Sequence, residues 1–436
     1  MLNQEIIGLI GILALVVFLG LGVHVGIAMG FIGFLGAVAL IGFSKSFSLL
    51  STTPFHTIDY TILVLPMFIL MGEFAFHGGM GVRLYTAASK WLGKVYGGVA
   101  MTTTVAVAFF SAISGSALAS AATFAKMAVP EMTRLKYDSK FACAVVAASA
   151  TLDILIPPSG LMVLYCIFTG ASLGKLMFAG FIPGFLSALN YMIIIYFRAR
   201  IDPNLRTQPI EGASWREKMI AARMITPEAI IVVVVFGGIY SGIFSPIEAS
   251  AVGAFSVFIA GLARKALSLS LFKTSLIATA RTTAMIFLII AGSMIFSKFV
   301  AIAGLQEALL TFVSALAMDR YIILALVLFS YLILGMFMDV VAMLAITLPI
   351  FFPLLVALRF DDIWVGILIM KMAGIGTLTP PVGMVCYVVK AIVGDVVTLE
   401  GLFRGIWPFV AADVLTLVLL VAFPQITLWL PSVIYQ

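Results

Sequence analysis

The chain has 436 residues, of which 63% are hydrophobic and only 10% are charged. Ordinary soluble domains carry about 25% charged residues, so this composition excludes a soluble enzyme or nucleic-acid-binding domain and indicates an all-α polytopic membrane protein. The formal net charge of +6 is then explained by basic cytoplasmic loops rather than by a nucleic acid partner.

Apolar segments follow one another along the chain, and crossing a bilayer as a helix takes about 20 residues. We predict about ten transmembrane helices on this basis. The segments are roughly 5–22, 24–43, 58–77, 141–169, 176–198, 226–243, 247–263, 274–297, 363–394 and 405–430.

Two of these segments contain a Pro-Pro pair, at 157–158 and at 380–381. Proline removes a backbone donor and clashes with the preceding turn, so each helix must break there. A broken helix at membrane depth is tolerated only where protein buries it or where it lines a polar cavity, and transporters bind ions and substrate at such breaks. We therefore predict broken helices over 141–169 and 363–394.

Two further apolar stretches, at 97–130 and 320–356, have a glycine-containing tip in the middle, around Gly115 and Gly335. Such a tip fits a plain transmembrane span poorly. We predict that both stretches are re-entrant hairpins, which enter and leave the membrane on one side.

A polar linker at 198–225 divides the chain into two halves, 1–197 and 226–436. Each half has three helices, a hairpin, a broken helix and a last helix. Five crossings per half require the two halves to be inverted relative to each other, as in an inverted repeat. Lysine and arginine are concentrated in the linker and in loops on its side, which predicts a cytoplasmic linker and two periplasmic termini.

Amphipathic stretches flank the two hairpins. Residues 83–96 mix basic and aromatic side chains with apolar ones, which predicts a helix along the membrane surface. Residues 299–318 are its predicted counterpart. An ordinary loop is the alternative in each case.

Oxygen-bearing side chains occur at the first hairpin tip and at the first break. Ser111 and Ser114 offer hydroxyls, and Asp153 lies just before the Pro-Pro pair. Hard cations such as sodium prefer oxygen ligands, so a tip that faces the break would form a cation cage. Asp153 would ligate the cation or take up a proton. Helix–helix packing is the alternative role of the serines.

Two more charges lie inside apolar segments of the second half. Asp339 lies at the second hairpin tip, and Lys371 lies before the second break. Intramembrane charges are costly and usually functional. We predict that Asp339 orients the tip or contacts the ion cage, and that Lys371 meets an anionic substrate or pairs with Asp153 or Asp339. An internal salt bridge without a ligand is the alternative.

The sequence shows none of the common catalytic motifs: no nucleotide-binding loop, no metalloprotease helix and no serine-nucleophile motif. The cysteines, Cys143, Cys166 and Cys386, lie in apolar segments without metal-ligand spacing. We therefore predict a protein that is not an enzyme, with no catalytic residue and no organic cofactor.

Several short motifs, taken in order, resemble the large membrane subunit of the TRAP transporters, the tripartite ATP-independent periplasmic systems. They are Ser-Gly-Ser-Ala at 114–117, Val-Pro-Glu-Met at 129–132, Ala-Thr-Leu at 150–152, Ile-Pro-Pro-Ser at 156–159, Gly-Met-Phe-Met-Asp at 335–339, and Thr-Pro-Pro-Val-Gly at 379–383 after Gly376. The resemblance covers essentially the whole chain.

This resemblance implies an elevator-type sodium-coupled transporter in the bacterial inner membrane. It implies a small four-helix membrane subunit, a periplasmic substrate-binding protein and an organic acid substrate. It places the first sodium site at Ser111, Ser114, Asp153, Ile156 and Pro158. It places the second at Gly335, Gly376, Thr379 and Val382. We predict substrate contacts from Ser116, Ser159, Asp339 and Lys371.

Two departures from the family pattern bear on the ion stoichiometry. Asp153 stands where the family usually has glycine, and Lys371 is an unusual residue before the second break. A stand-alone anion:sodium symporter of related architecture is the first alternative. An ion channel or a membrane-embedded enzyme is the remote one, although an enzyme would be expected to cluster His, Asp or Glu across segments.

Overall fold

A computed structural model describes residues 4–57, 60–202, 213–316 and 318–435. Every regular element in these residues is helical, which confirms the prediction of an all-helical membrane protein. The first-half helices are α1 (Gln4–Gly20), α2 (Val25–Ile41), α3 (Phe43–Thr57), α4 (Val64–His77), α5 (Met80–Leu92), α6 (Gly98–Ser114), α7 (Ala117–Arg134), α8 (Ser139–Ala150), α9 (Gly160–Thr169) and α10 (Leu173–Ile201).

The remaining helices begin within the predicted linker, of which residues 203–212 lie outside the described residues. They are α11 (Trp215–Met224), α12 (Thr226–Tyr240), α13 (Pro246–Ala263), α14 (Leu269–Ile302), α15 (Leu305–Ala315), α16 (Arg320–Phe337), α17 (Val340–Ala357), α18 (Asp362–Leu378), α19 (Met384–Val393), α20 (Leu399–Ala422) and α21 (Gln425–Ile434).

Six helices in the described residues are long and apolar enough to cross a membrane: α10, α13, α14, α16, α17 and α20. Two bent pairs raise this number to eight if each pair is one span, α4 with α5 at 64° and α11 with α12 at 52°. The apolar helices α1 and α2 have 17 residues each. The total of about ten spans stays a prediction.

Short polar side chains define the starts of many helices. Ser214 and Ser245 each form a capping box, with Glu217 and Glu248 respectively. Asp361 accepts hydrogen bonds from two backbone amides at the start of α18. The first amides of a helix have no partner within the helix, and a cap supplies one where water is scarce.

The structure divides some predicted segments differently. The predicted span 405–430 is two helices, because α20 ends at Ala422 and α21 begins after Pro424. The predicted span 274–297 is the middle of α14, which has 34 residues. Helix α3 and helix α11 were not predicted from the sequence.

Each half contains a helix pair joined by a tight tip. Helices α6 and α7 meet at Gly115, whose φ of +59° is a left-handed conformation that favours glycine. Helices α16 and α17 meet at residues 338–339. These two pairs occupy the ranges predicted as hairpins, and the inverted relation of the two halves stays a prediction.

Each half also contains an interrupted helix at its Pro-Pro pair. In the first half, α8 is followed by a 3₁₀ turn, Thr151–Ile154, and α9 begins at Gly160. In the second half, α18 ends at Leu378 and α19 begins at Met384. The Pro-Pro peptide bond is cis in both interruptions.

Helix α5, which follows the first bend, is attached to α12 and α13 through one buried carboxylate. Glu228 accepts a hydrogen bond from Arg83 at 2.7 Å and one from Arg264 at 3.3 Å. Glu228 is only 2% exposed. A carboxylate buried to this degree needs partners, so the two arginines stabilise the position of α5.

Helix α17 contains two interior prolines, Pro349 and Pro353. Because proline has no N–H, the carbonyls four residues earlier, at Ala345 and Pro349, lose their helical partners. Side chains of neighbouring helices replace these donors. Ser293 of α14 donates to the Ala345 carbonyl at 2.5 Å, and Gln306 of α15 donates to the Pro349 carbonyl at 2.7 Å.

Candidate functional site

The first hairpin tip lies directly against the first break. A β-carbon placed on Gly115 would lie 2.7 Å from the carbonyl oxygen of Pro158. This distance is shorter than real β-carbon contacts, so a larger residue at Gly115 would push the tip away from the break. The close approach brings the end of α6 next to the turn that carries Asp153.

Asp153 is almost fully buried, at 1% exposure, beside the serines of the tip. Its Oδ1 accepts a hydrogen bond from the Ser114 hydroxyl at 3.1 Å. The hydroxyls of Ser111 and Ser120 lie near this carboxylate, the Ser111 hydroxyl donates to the Val107 carbonyl at 2.8 Å, and the Ser114 and Ser120 hydroxyl oxygens are 3.3 Å apart. Oδ2 of Asp153 has no hydrogen-bond partner among the described residues.

The backbone that follows Asp153 in the break is buried as well. Ile156 is 2% exposed, and its amide donates to the Leu152 carbonyl at 2.8 Å. Helix α10 approaches the break closely because Gly184 has no side chain: a β-carbon there would lie 2.6 Å from Cγ1 of Ile156. The break is therefore packed on one side by α10 and on the other by the hairpin tip.

A carboxylate, three hydroxyls and nearby carbonyls form an oxygen-rich enclosure. A buried carboxylate oxygen without a donor is unfavourable unless a cation or a proton compensates it. Oxygen ligands of this kind suit a hard cation, so the residues present fit sodium. Ser111, Ser114 and Asp153 would supply side-chain oxygens, and Ile156 and Pro158 would supply carbonyls.

The second hairpin and the second broken helix meet at two glycines. A β-carbon on Gly376 would lie 2.8 Å from the Gly335 Cα, and one on Gly335 would lie 3.0 Å from the Gly376 Cα. Helices α16 and α18 therefore cross with their backbones in contact. Carbonyl groups at this crossing can approach a shared ion without intervening side chains.

Thr379 and Val382 follow this crossing in the second interruption. The Thr379 hydroxyl donates to the Ile375 carbonyl at 2.6 Å, so its oxygen keeps only acceptor capacity. Val382 is half-buried. None of the four predicted residues at this place carries a charge, so any ion bound here would be held by neutral oxygens.

The predicted substrate residues Ser116 and Ser159 lie on either side of the contact between tip and break. Ser116 is exposed and caps α7 by accepting from the Ala119 amide at 3.4 Å. Ser159 precedes α9, is fully buried, and its hydroxyl has no partner among the described residues. The free hydroxyl and the start of α9 together offer donors to an anionic group.

Asp339 occupies the position in the second hairpin that Ser116 occupies in the first. It caps α17 by accepting from the Val341 amide at 3.0 Å. In the described part of the chain no hydrogen bond joins Asp339 to Ser116 or Ser159. The cap explains a half-buried carboxylate at this tip without a ligand, and the predicted role of Asp339 in orienting the tip stays a prediction.

The predicted ion-pair partners of Lys371 are wrong. Its ammonium is buried and forms an ion pair with Asp413 rather than with Asp153 or Asp339, and it donates to the Ser187 hydroxyl at 2.9 Å. This is the internal salt bridge that was the alternative role of Lys371, and its contact with a substrate stays a prediction. Asp413 lies in the interior of α20 and is 1% exposed.

Four polar residues near the breaks were missed. Ser120 contacts Ser114 from one turn beyond the tip, Ser187 and Tyr191 contact the Lys371–Asp413 pair, and Thr151 contacts Tyr191. Asp413 had a usable signal, because an acidic residue in an apolar segment needs a buried partner. Ser187 and Tyr191 lie four residues apart on one helix face, but neutral residues in an apolar helix gave no reason to select them.

Comparisons with known proteins agree with this architecture. Residues 12–426 match the family "Tripartite ATP-independent periplasmic transporter, DctM component". The chain is 34% identical to the C4-dicarboxylate TRAP transporter large permease protein DctM of Pseudomonas aeruginosa, over 92% of this chain and 93% of that protein. It is 32% identical to the sialic acid TRAP transporter large permease protein SiaM of Vibrio cholerae, over 86% of this chain and 87% of that protein.

A solved structure shares the fold at low sequence identity. The Alcanivorax borkumensis YdaH transporter, whose structure is described as having an unusual topology, superposes with a TM-score of 0.66 at 14% identity, over 88% of this chain and 89% of that one. The matched relatives are transporter permeases and not enzymes, which confirms that expectation. The chain belongs to the DctM component family of the tripartite ATP-independent periplasmic transporters, and it is a multi-pass TRAP transporter large permease.

Proposed function

We propose that this permease imports an organic acid across the bacterial inner membrane by sodium-coupled secondary transport. The observation that carries the proposal is the enclosed carboxylate at the first break. Asp153 is buried among three serine hydroxyls, and one of its oxygens lacks a donor among the described residues. A bound cation would neutralise this group at membrane depth, where an uncompensated charge is costly.

A second sodium ion would bind at the glycine crossing of α16 and α18. Gly335, Gly376, Thr379 and Val382 would contribute carbonyl and hydroxyl oxygens. The two sites would differ in charge, since the first contains a carboxylate and the second does not. Sodium should therefore bind more tightly at the first site, where a full negative charge faces the ion.

The substrate would bind between the two sites, with Ser116 and Ser159 as its contacts and with Asp339 orienting the second tip. The start of α9 and the Ser159 hydroxyl, which has no partner in the part of the chain that the structure describes, favour an anion there. Related permeases are named for C4-dicarboxylate and for sialic acid. These names support the carboxylate class and leave the individual substrate to be measured.

Transport would follow an elevator mechanism in which the hairpins and broken helices move together. The tight contacts between each tip and its break support this, because they make each pair one rigid unit. The family description as a tripartite periplasmic system supports two partners, a small four-helix membrane subunit and a periplasmic binding protein. The linker 198–225 would face the cytoplasm and both termini the periplasm.

Uptake into proteoliposomes tests the proposal. The chain would be reconstituted with and without the small membrane protein and the binding protein encoded beside it, and a panel of labelled carboxylates would be supplied. An inward sodium gradient and a matched choline gradient would be compared. We expect uptake that needs sodium and both partners.

Other outcomes would contradict specific parts of the proposed function. Sodium-driven uptake by this chain alone would indicate a stand-alone anion:sodium symporter. Uptake driven by a proton gradient and indifferent to sodium would disprove the cation sites. A conductance that does not saturate with substrate would indicate a channel.

A further inference from the structure

A buried ion pair lies in the apolar core, outside the two predicted sodium sites. Lys371 of α18 pairs with Asp413 of α20, and these side chains are 5% and 1% exposed. The Lys371 ammonium also donates to the Ser187 hydroxyl of α10 at 2.9 Å. It lies 5.9 Å from the centre of the Tyr191 ring. Three helices, α10, α18 and α20, therefore meet at one ammonium group.

Tyr191 connects this ion pair to the first break. Its hydroxyl donates to the Asp413 carboxylate, at 2.7 Å from each oxygen, and lies 3.3 Å from the Thr151 hydroxyl. Thr151 begins the 3₁₀ turn that contains Asp153. The Thr151 hydroxyl also lies 2.7 Å from the Ala148 carbonyl, so its single hydrogen is donated either to that carbonyl or to the Tyr191 oxygen. A continuous set of polar contacts therefore runs from the second broken helix to the turn of the first.

Helix α18 also contacts this turn through apolar atoms. A β-carbon on Gly374 would lie 3.5 Å from Cδ1 of Ile154 and 3.8 Å from Cβ of Thr151, which is ordinary van der Waals contact. Gly374 lies three residues after Lys371, so both occupy neighbouring positions on one face of α18. The two broken helices are thus packed together as well as linked by polar groups.

Stability alone does not require charges at this place. Replacing a buried ion pair by apolar side chains of similar volume is often neutral or stabilising, whereas removing one partner leaves an uncompensated charge. The ion pair instead helps to fix the position of α18 along α10 and α20. An ammonium whose described oxygen partners are Asp413 and Ser187 favours the position of α18 relative to α10 and α20 in which both contacts form.

We propose that the Lys371–Asp413 pair, with Tyr191, is a positioning element that sets the sodium affinity of the first site. It holds the turn that carries Asp153 in register with the second broken helix. The inference rests on the proposed sodium-coupled function, because its readout is sodium binding at Asp153. Lys371 and Asp413 act through Tyr191 and Thr151.

The test uses the full chain in lipid nanodiscs and measures how far sodium raises the unfolding temperature, with choline as the control cation. Tyr191→Phe removes the hydroxyl link and leaves the ion pair in place. We expect the sodium concentration for half-maximal stabilisation to rise roughly three- to tenfold, as the loss of one or two hydrogen bonds allows. The unfolding temperature without sodium should itself fall, because the buried Asp413 carboxylate loses a donor, so the effect of sodium is measured from each variant's own sodium-free value. In uptake assays, the KM for sodium should rise while the maximal rate is kept.

A second variant removes both charges together. Lys371→Met combined with Asp413→Leu leaves no uncompensated charge, so the chain should fold. Its half-maximal sodium concentration should rise roughly tenfold, because residues of one network couple strongly. Thr416→Val is the matched control. It removes the 2.8 Å hydrogen bond from Asn190, which joins the same helices α10 and α20 outside the network, and sodium binding should not change.

The outcomes separate this inference from the function on which it rests. Wild-type sodium binding in both variants would overturn the positioning role and leave the proposed function intact. A wild-type protein that sodium stabilises no more than choline would overturn both. An equal loss in Thr416→Val would show general loosening of α10 against α20 and would also overturn the role. If the double variant does not fold, Tyr191→Phe decides.

Discussion

The contact between Gly335 and Gly376 allows a quantitative prediction for Gly376→Ala. The new β-carbon would lie 2.8 Å from the Gly335 Cα and 3.1 Å from the Leu332 carbonyl oxygen. Carbon atoms pack best at about 3.5–4.0 Å, so α16 and α18 would have to separate by roughly 1 Å. Both neighbours are backbone atoms, which cannot rotate away as a side chain would.

Overpacking of this kind costs about 1–3 kcal/mol. Alanine regains up to about 1 kcal/mol over glycine inside a helix, which offsets part of the cost. We therefore expect a net loss of about 1–2 kcal/mol, seen as a decrease of a few degrees in the unfolding temperature. Sodium binding at the proposed second site should also weaken, because the carbonyls proposed as its ligands lie at this crossing.

Tryptophan fluorescence during heating measures the effect, and uptake at graded sodium concentrations measures the site. Gly237→Ala in α12 is the matched control, because a β-carbon there meets no atom within 4 Å. It should leave stability unchanged or raise it by up to about 1 kcal/mol. Equal unfolding temperatures for the two variants would show that α16 and α18 do not cross at this distance.

Three further predictions concern the first cation site and helix α17. Asp153→Asn removes the carboxylate charge at nearly constant volume, and the KM for sodium in uptake should rise roughly tenfold or more because a charged ligand is lost; an unchanged KM would exclude Asp153 as a ligand. Ser293→Ala leaves the Ala345 carbonyl without its donor, and stability measured by thermal unfolding should fall by about 1–3 kcal/mol. Gln306→Leu does the same to the Pro349 carbonyl and should cost a similar amount, about 1–3 kcal/mol; stability equal to wild type in either variant would mean that another group serves that carbonyl.

Features set by local backbone chemistry could be predicted from the sequence. A Pro-Pro pair ends a helix wherever it lies, and α8 and α18 both end shortly before one. A glycine between two serines can adopt the left-handed conformation that Gly115 has at the tip. The family resemblance, which residues 12–426 confirm, depends on the same short motifs.

Partners across the core could not be predicted in the same way. Lys371 and Asp413 are 42 residues apart on two helices, and which faces meet depends on how α18 and α20 pack. The last segment was predicted to begin at 405, whereas α20 begins earlier, at Leu399, so Asp413 lies further inside its helix than the predicted bounds placed it. Tyr191 is neutral, so its part in the network becomes visible only once the side chains are placed.

The paired donors on α17 limit how this helix can move. A helix whose backbone groups are all hydrogen-bonded within the helix can slide past a neighbouring helix without leaving a polar group unpaired. Helix α17 cannot do so, because two of its carbonyls accept hydrogen bonds from side chains of other helices, Ser293 and Gln306. A partial shift of α17 would leave both carbonyls without a hydrogen-bond donor in an apolar environment, at a cost of roughly 1–3 kcal/mol each. Displacement of α17 along α14 should therefore proceed as a jump between discrete resting positions, and these two side chains mark one of them.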